Sequence, residues 1–389
     1  MSGFIPYGRQ NISEEDIQAV VEVLRSDFVT QGPAIERFEK AVADYCGSRY
    51  AVAVSNATAG LHMACMALGL ACGEVLWTAP NTFVASANCG RYCGAQVDFI
   101  DIDPQTYLLD VSQLAQKLAE VKASGGMLPK IVIPVQFAGQ CVEMDQLAKL
   151  AKAYGFAIIE DAAHGIGGQY QGKPIGGCDY SEMTVFSFHP VKIITTGEGG
   201  LITTNREDLY QTLLRLRSHG ITRDAQFMKN PPEGPWYYEQ IELGYNYRMT
   251  DMQAALGHSQ MKRLDEFVAK RHQLAQRYDE QLADLPVICP KQHPDSYSAL
   301  HLYPIQVDAK QTSKTRKQVF EALRARNIGV NVHYMPVYLQ PYYRDLGFKA
   351  GHCPQAEHYY NQAITLPLYY DLTFEQQDQV VQALREALA

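Results

Sequence analysis

The sequence predicts an α/β protein, a mostly parallel sheet covered by helices on both faces, followed by a smaller α+β C-terminal domain. Three observations carry this. Short apolar strands around Val75–Trp77, Val97–Asp101, Ile131–Val135 and Ala157–Glu160 alternate with helical stretches such as Met144–Tyr154, the pattern of successive βαβ units. These strands read as near-continuous apolar runs, as strands buried on both faces do. After Pro286 the order changes to strand, helix, strand and a closing helix.

Taken in order, Ser13 opens the first helix with Asp16 three residues on, a capping-box-like start, and Ile17, Val20, Val21 and Leu24 form its apolar stripe. Ile35, Phe38, Val42 and Tyr45 form a second stripe. Beyond the sheet a long helical run from Met252 to Leu282 leads away from it. It is followed by a strand at Leu302–Val307, a helix at Lys314–Arg326, a strand at Gly329–Val332 and a last helix at Glu375–Leu388. The division this implies is a large domain with an N-terminal arm over residues 1–250 and a small domain, including the connecting helix, over 251–389. The charged run Arg215, Arg217, His219 and Arg223 reads as a solvated helix end. Tyr334, Tyr338, Tyr342 and Tyr343 read as packing for the small domain.

With 389 residues, 47% hydrophobic and 20% charged, the chain has ample material for two cores. The net charge of −8 argues against a nucleic-acid surface. Anionic ligands must therefore be met by local positive groups. The nine cysteines, Cys89 and Cys93 among them, show no Cys-x-x-Cys pair and no clustering with histidine. They read as buried thiols of a reducing cytosol, with no metal site. The start, Met1 to Gln10, has no apolar signal core, and no run is long enough to span a membrane. A cytoplasmic protein is the expectation.

Three segments carry chemistry. In the first, the strand-like run Met183–Phe188 leads through His189 and Pro190 to Lys192, then to Gly197-Glu198-Gly199-Gly200 and another strand. A lysine held between two buried strands loses solvation, which lowers its pKa and frees its amine as nucleophile and base; Schiff-base lysines need that environment. Alone, Lys192 reads more readily as a loop lysine with its head in water. In the second, the strand Phe156–Glu160 ends in Asp161, with His164 three residues on. Carboxylates at the C-terminal ends of strands in open α/β sheets face the ligand crevice. An acid there, with a strand-flanked lysine downstream, is the arrangement that pyridoxal phosphate needs: the acid for the pyridinium nitrogen, the lysine for covalent attachment. Taken singly, Asp161 is also a plausible helix cap and His164 a satisfied core histidine. In the third, the strand Tyr50–Val54 gives way at Ser55-Asn56 to small residues that open a helix. The free N–H groups of such a helix start hold phosphate, and Thr58 adds a hydroxyl. Neither a P-loop nor a Gly-x-Gly-x-x-Gly is present there.

Five stretches together, Ser55–His62, Thr78–Ala85, Glu160–Gly165, Ser187–Lys192 with Gly197–Gly200, and Gly244–Thr250, resemble the DegT/DnrJ/EryC1/StrS sugar aminotransferases over nearly the whole chain. That family comprises fold-type I pyridoxal-phosphate enzymes, which implies a large domain with a seven-stranded, mostly parallel sheet. Within the family the chain looks most like the PseC type, through Ser187–Thr196, His301–Ile305 and Val332–Tyr338. The PseC type aminates the 4-keto group of a UDP-linked 2-acetamido-2,6-dideoxy sugar in pseudaminic acid synthesis. The resemblance implies L-glutamate as amino donor and two half-reactions, with the pyridoxamine form carrying the amine between them. It makes Lys192 the attachment and proton-moving residue, with Asp161 on the ring nitrogen and His189 beside them. Phe83 stacks on the ring, His164 lies near its hydroxyl, and Ala57, Thr58 and Ser187 hold the phosphate. Asn246 reaches the phosphate of the partner subunit's coenzyme, so a homodimer with shared sites is implied. Tyr7, His189, His333 and Tyr334 match positions lining the sugar-nucleotide cleft. A related dehydratase class carries histidine at the place of Lys192, so the lysine argues against it. Other nucleotide keto-sugars, or a coenzyme-binding regulator without catalysis, are the alternatives.

Overall fold

A computed structural model of the chain describes residues 3–389. Seven strands form the main sheet: β1 (Tyr50–Val54), β2 (Val75–Thr78), β3 (Gln96–Phe99), β4 (Ile131–Ile133), β5 (Ala157–Asp161), β6 (Met183–Ser187) and β7 (Gly200–Thr204). Their spatial order is β1-β7-β6-β5-β4-β2-β3, and β7 alone runs against the others. This is the expected mostly parallel sheet. Apart from the first residues of β1 and β5 and two positions of the edge strand β3, every strand residue is buried. That explains the absence of period-two polarity in the sequence. Parallel pairing of β4, β5 and β6 brings the C-terminal ends of β5 and β6 side by side, so Asp161 and Ser187 emerge at one edge of the sheet.

The first helix, α1 (Glu14–Leu24), has the anticipated capping box of Ser13 and Asp16. Its apolar stripe is not where the periodicity placed it. Ile17 is 47% and Leu24 56% exposed, while Asp16 and Val23 are buried. The Asp16 carboxylate turns inward because it accepts hydrogen bonds from Ser13 N–H (2.9 Å), Gln260 (2.5 Å) and Arg263 (2.7 Å). A paired carboxylate thus outcompetes two apolar side chains for the inner face. The second helix, α2 (Pro33–Cys46), buries Ile35, Phe38 and Val42 as anticipated, and Tyr45 reaches Asp265. Then follow α3 (Ala57–Ala67), α4 (Ala85–Tyr92), α5 (Val111–Ala123), α6 (Met144–Tyr154) and α7 (Glu207–Arg217).

The run from Met252 to Leu282 is two helices, α8 (Asp251–Met261) and α9 (Leu264–Gln281), broken at Lys262 and Arg263. The break lets α8 pack on α1 and α2 while α9 runs on. A second buried core, from Leu274 to Leu388 and including Ile5, forms around β8 (Val287–Ile288), β9 (Tyr303–Val307) and β10 (Ala363–Leu366), an antiparallel trio. It is closed by α10 (Arg316–Ala325) and α13 (Phe374–Leu388), both with capping boxes. Two further helices, α11 (Pro341–Asp345) and α12 (Pro354–Gln362), escaped the sequence reading. The strand anticipated at Gly329–Val332 is absent: Ile328 bridges to Ile5 and Asn331 to Thr365 as isolated pairs. The segment is divided between two partners, the N-terminal arm and β10, so no continuous ladder forms.

Two other readings are corrected. Arg215 and Arg217 are not solvated: they pair with Glu242 (2.5 Å) and Glu39 (2.6 Å), and each arginine side chain is 16% exposed. Tyr338 and Tyr343 pack on Phe99 of β3, ring centroids 5.7 and 5.8 Å away, so they cover the main sheet rather than the small core. Tyr342 is exposed, and Tyr334 turns to the cleft described next. None of the helices among the described residues is long and apolar enough to cross a membrane.

Candidate active site

The loop joining β6 to β7 is pinned before it presents Lys192. Phe188 N–H donates to Gly199 C=O (2.9 Å), Thr196 N–H to Phe188 C=O (3.0 Å), and the Thr195 hydroxyl to the same carbonyl (2.9 Å). A turn closes between Lys192 N–H and His189 C=O at 2.8 Å. The lysine is largely buried, and desolvation brings its amine down from 10.5 to about 8, with the Asp161 charge pulling the other way. At pH 7 about a tenth of such an amine is uncharged, against about one part in 3,000 for an ordinary lysine.

Asp161 ends β5. One carboxylate oxygen accepts from the Ser86 hydroxyl at 2.6 Å, the other from Ala163 N–H at 3.1 Å. Ser86 also meets the Thr82 hydroxyl at 2.6 Å. Burial pushes the acid's pKa up, while these hydrogen bonds and the Lys192 charge pull it back. A cation brought against Asp161 would relieve that desolvation. Phe83, three residues before Ser86, is 60% exposed, a large apolar ring that the core does not use.

The N-terminus of α3 completes this side. Asn56 caps it by accepting from Ala59 N–H at 2.9 Å. The N–H groups of Ala57 and Thr58 lie ahead of the helical ladder and are free for an anion. Gly200, where β7 begins, packs directly on this turn: a Cβ there would stand 2.5 Å from Asn56 C and 2.6 Å from Ala57 N. Only glycine permits that approach, and Ser187 pairs with Gly200 in the ladder. The phosphate-type turn and the lysine loop are therefore fixed to one another.

The opposite wall is polar and uncharged. His164 Nδ1 accepts from Ala138 N–H (3.2 Å), which leaves Nε2 to donate to the Tyr334 hydroxyl (3.4 Å). Asn331 donates to His333 Nε2 (3.3 Å), so His333 Nδ1 donates to the Thr365 hydroxyl (2.8 Å). The two imidazoles are thus held in opposite tautomers. Burial, with the Lys192 charge, drives the pKa of His164 well down and that of His333 to about 3, and both are neutral at pH 7. Tyr334 N–H is held by Asn81 (3.0 Å). Tyr7, on the N-terminal arm, lies against His333 with ring centroids 5.6 Å apart and planes tilted by 54°, and its carbonyl accepts from Leu368 N–H. Burial raises its phenol pKa, opposed by Asn331.

The structure thus gathers Lys192, Asp161, His164, His333, Tyr334 and Tyr7 at one cleft, with Ala57, Thr58, Ser187 and Phe83 on its rim elements. His189 is exposed, its Nδ1 accepting from Val191 N–H at 3.4 Å. Asn246 is exposed and bridged to Ser218, next to Tyr247, whose carbonyl accepts from Ser55 N–H at 2.8 Å. Sequence reasoning missed Ser86, Asn81, Asn331, Thr365 and His301. Asn81 and His301 lay inside quoted motifs; the others carry no local signal. A separate cavity of about 840 Å³ lies between β3 and residues 346–352. Its Asp98 is already paired to Lys117 and His352, so its chemistry is spent within the fold. Among the described residues no cluster suits a metal ion, and the nine cysteines are free thiols, Cys72 exposed among them.

Residues 10–385 match the DegT/DnrJ/EryC1/StrS aminotransferase family. The spore coat polysaccharide biosynthesis protein SpsC of Bacillus subtilis is 38% identical over 98% of this chain and 97% of its own. The UDP-4-amino-4,6-dideoxy-N-acetyl-beta-L-altrosamine transaminase of Campylobacter jejuni is 34% identical over 95% and 94%. The solved structure of Helicobacter pylori PseC, an aminotransferase involved in the biosynthesis of pseudoaminic acid, superposes with a TM-score of 0.90 at 30% identity, covering 99% of both chains. Fold, cleft and sequence converge: the chain belongs to the DegT/DnrJ/EryC1/StrS aminotransferase family.

Proposed function

We propose that this protein transfers an amino group from L-glutamate to the C4 keto group of UDP-2-acetamido-2,6-dideoxy-β-L-arabino-hexos-4-ulose, using pyridoxal 5′-phosphate held at Lys192. The observation that carries the reading is the pairing of a buried carboxylate, Asp161, with a lysine amine lowered to about 8 in the same cleft. The residues present fit the coenzyme. Free N–H groups at Ala57 and Thr58, with the Thr58 and Ser187 hydroxyls, suit its phosphate. Asp161 suits a protonated ring nitrogen, and the exposed Phe83 ring suits an aromatic face. Bound there, the coenzyme would supply the electron sink and the carbonyl that carries the amine between donor and acceptor.

The chain's own residues do the rest. Ser86 and Ala163 N–H keep Asp161 aimed and ionised against a cation. Lys192, as the free amine, would hold the coenzyme and would serve as the general base that moves the proton. His164 donates through Nε2, and His189 stands at the mouth beside the lysine. Tyr7, His333 and Tyr334 face the sugar nucleotide with neutral donors. Asn246 serves the partner subunit's site in a homodimer. The apolar surface of Ile17, Leu24 and Phe28, exposed in the single chain, supports such pairing.

A second reading, another nucleotide keto-sugar of a surface polysaccharide, is favoured by the greater identity to SpsC than to the altrosamine transaminase. The test is to convert the coenzyme to its amine form with glutamate, then offer a panel of nucleotide keto-sugars. Return of the original absorbance with the UDP-4-keto-6-deoxy-L-arabino sugar alone supports the first reading. Return with a different sugar supports the second, and no return with any sugar discards both.

A further inference from the structure

His301 is 4% exposed, and among the described residues its Nδ1 is buried without a hydrogen-bond partner. Unpaired buried polar atoms are destabilising and uncommon, so packing stability alone does not account for an imidazole here. The ring lies against that of His164, centroids 4.4 Å apart and planes tilted by 43°. The two histidines also share one backbone residue. Ala138 donates its N–H to His164 Nδ1 (3.2 Å) and accepts the His301 N–H at its carbonyl (2.8 Å).

This junction is held in a costly conformation. Ala138 has φ 58° and Leu300 φ 48°, both left-handed without being glycine. Such residues persist where their surroundings over-determine them, and they collect at functional sites. Gly139 leaves no slack, since a Cβ there would lie 2.7 Å from Leu300 N and 3.0 Å from His301 N. Behind it, the buried Arg271 donates from Nη1 to the carbonyls of Leu300 (3.2 Å), His301 (3.2 Å) and Leu368 (2.9 Å). No carboxylate is paired with Arg271 among the described salt bridges. Burial above all, then the neighbouring His164, Lys192, Arg271 and His333, keeps His301 neutral.

Resting on the reading of the cleft given above, we propose that His301, anchored by Arg271, is a positioning residue. It braces His164 so that the His164 proton stays on Nε2 and is donated to the Tyr334 hydroxyl, leaving the Tyr334 O–H to face the ligand. The 4.4 Å ring contact, the shared Ala138 and the strained pair Ala138 and Leu300 tie the two histidines together.

The test reads the His164 ring by ¹⁵N NMR in coenzyme-free protein, so it decides the brace even if the coenzyme reading fails. The wild type gives a single Nε2–H tautomer at pH 6–8. His301→Ala gives mixed tautomers, and, in the loaded enzyme, a kcat lower by about tenfold with the KM for glutamate within about twofold. His301→Phe keeps an aromatic ring at the contact and removes the unpaired nitrogen; it restores the single tautomer and melts no lower than wild type. A folded His301→Ala with unchanged His164 signals overturns the proposal, as does a His301→Phe whose His164 is as disordered as in the alanine variant. If the alanine variant does not fold, His301→Phe decides alone: a preserved tautomer supports the brace and a mixed one overturns it.

Discussion

The two walls of the cleft are built differently. On the large-sheet side, each group stands at the end of a strand or the start of a helix and is tied to its own surroundings: Asp161 to Ser86 and Ala163, Lys192 in a turn on His189, Ala57 on the cap of Asn56. On the other side, Tyr7, Asn331, His333 and Thr365 come from an arm, an unpaired segment and an edge of the small sheet, and they hold one another. The first wall carries the charged groups, Asp161 and Lys192; the second offers neutral donors and acceptors. On the function proposed above, this amounts to a division of labour in which the sheet edge would perform the amino transfer and the arm and small sheet would choose the acceptor.

The division breaks most visibly at the lysine. Lys192→Ala should reduce kcat by at least about 10⁴-fold and abolish the coenzyme absorbance; retained turnover would remove the residue from the chemistry. Its pH dependence is tied to the same amine. A lysine lowered to about 8 is charged below that value and free above it. Capture of pyridoxal phosphate by the coenzyme-free protein should therefore speed up as pH rises through about 8 and level off beyond it. A rate still climbing toward 10.5 would mean that the amine is solvated.

Next in size, Asp161→Asn keeps the shape of the pocket but loses the charge that holds a protonated ring nitrogen, and kcat should fall by about 10²–10³-fold. Near-normal turnover in a folded variant would separate Asp161 from the reaction. On the other wall, Asn331→Ala removes the donor on His333 Nε2. It should raise the KM for the nucleotide sugar about tenfold, the worth of one buried hydrogen bond, and leave the glutamate half-reaction unchanged. A slowed glutamate step would contradict the division of labour. Smallest is Asn246→Ala, which should weaken coenzyme affinity a few-fold in the dimer; an unaltered affinity would count against a shared site.

How far the sequence was legible follows the same line. Asp161, Lys192 and the turn at Ser55-Asn56 were readable because their position depends on where a buried strand stops, which local apolar runs reveal. The main-sheet strands and α6 were readable for the same reason. The inner face of α1 was not, since a carboxylate at Asp16 with partners at Gln260 and Arg263 displaced the apparent stripe. Arg215 and Arg217 looked solvated because Glu242 and Glu39 meet them only in the fold. Asn331 and Thr365 gain meaning from a bridge between segments 34 residues apart. Long-range polar pairing, rather than periodicity, is what the chain concealed.

The most direct test of the central claim is borohydride reduction of the coenzyme-loaded protein, followed by digestion and mass measurement. The account predicts that the reduced coenzyme is found on the peptide containing Lys192 and on no other lysine, and that Lys192→Arg abolishes the adduct. Labelling at a different lysine, or none in a protein that still transfers amino groups, would contradict it.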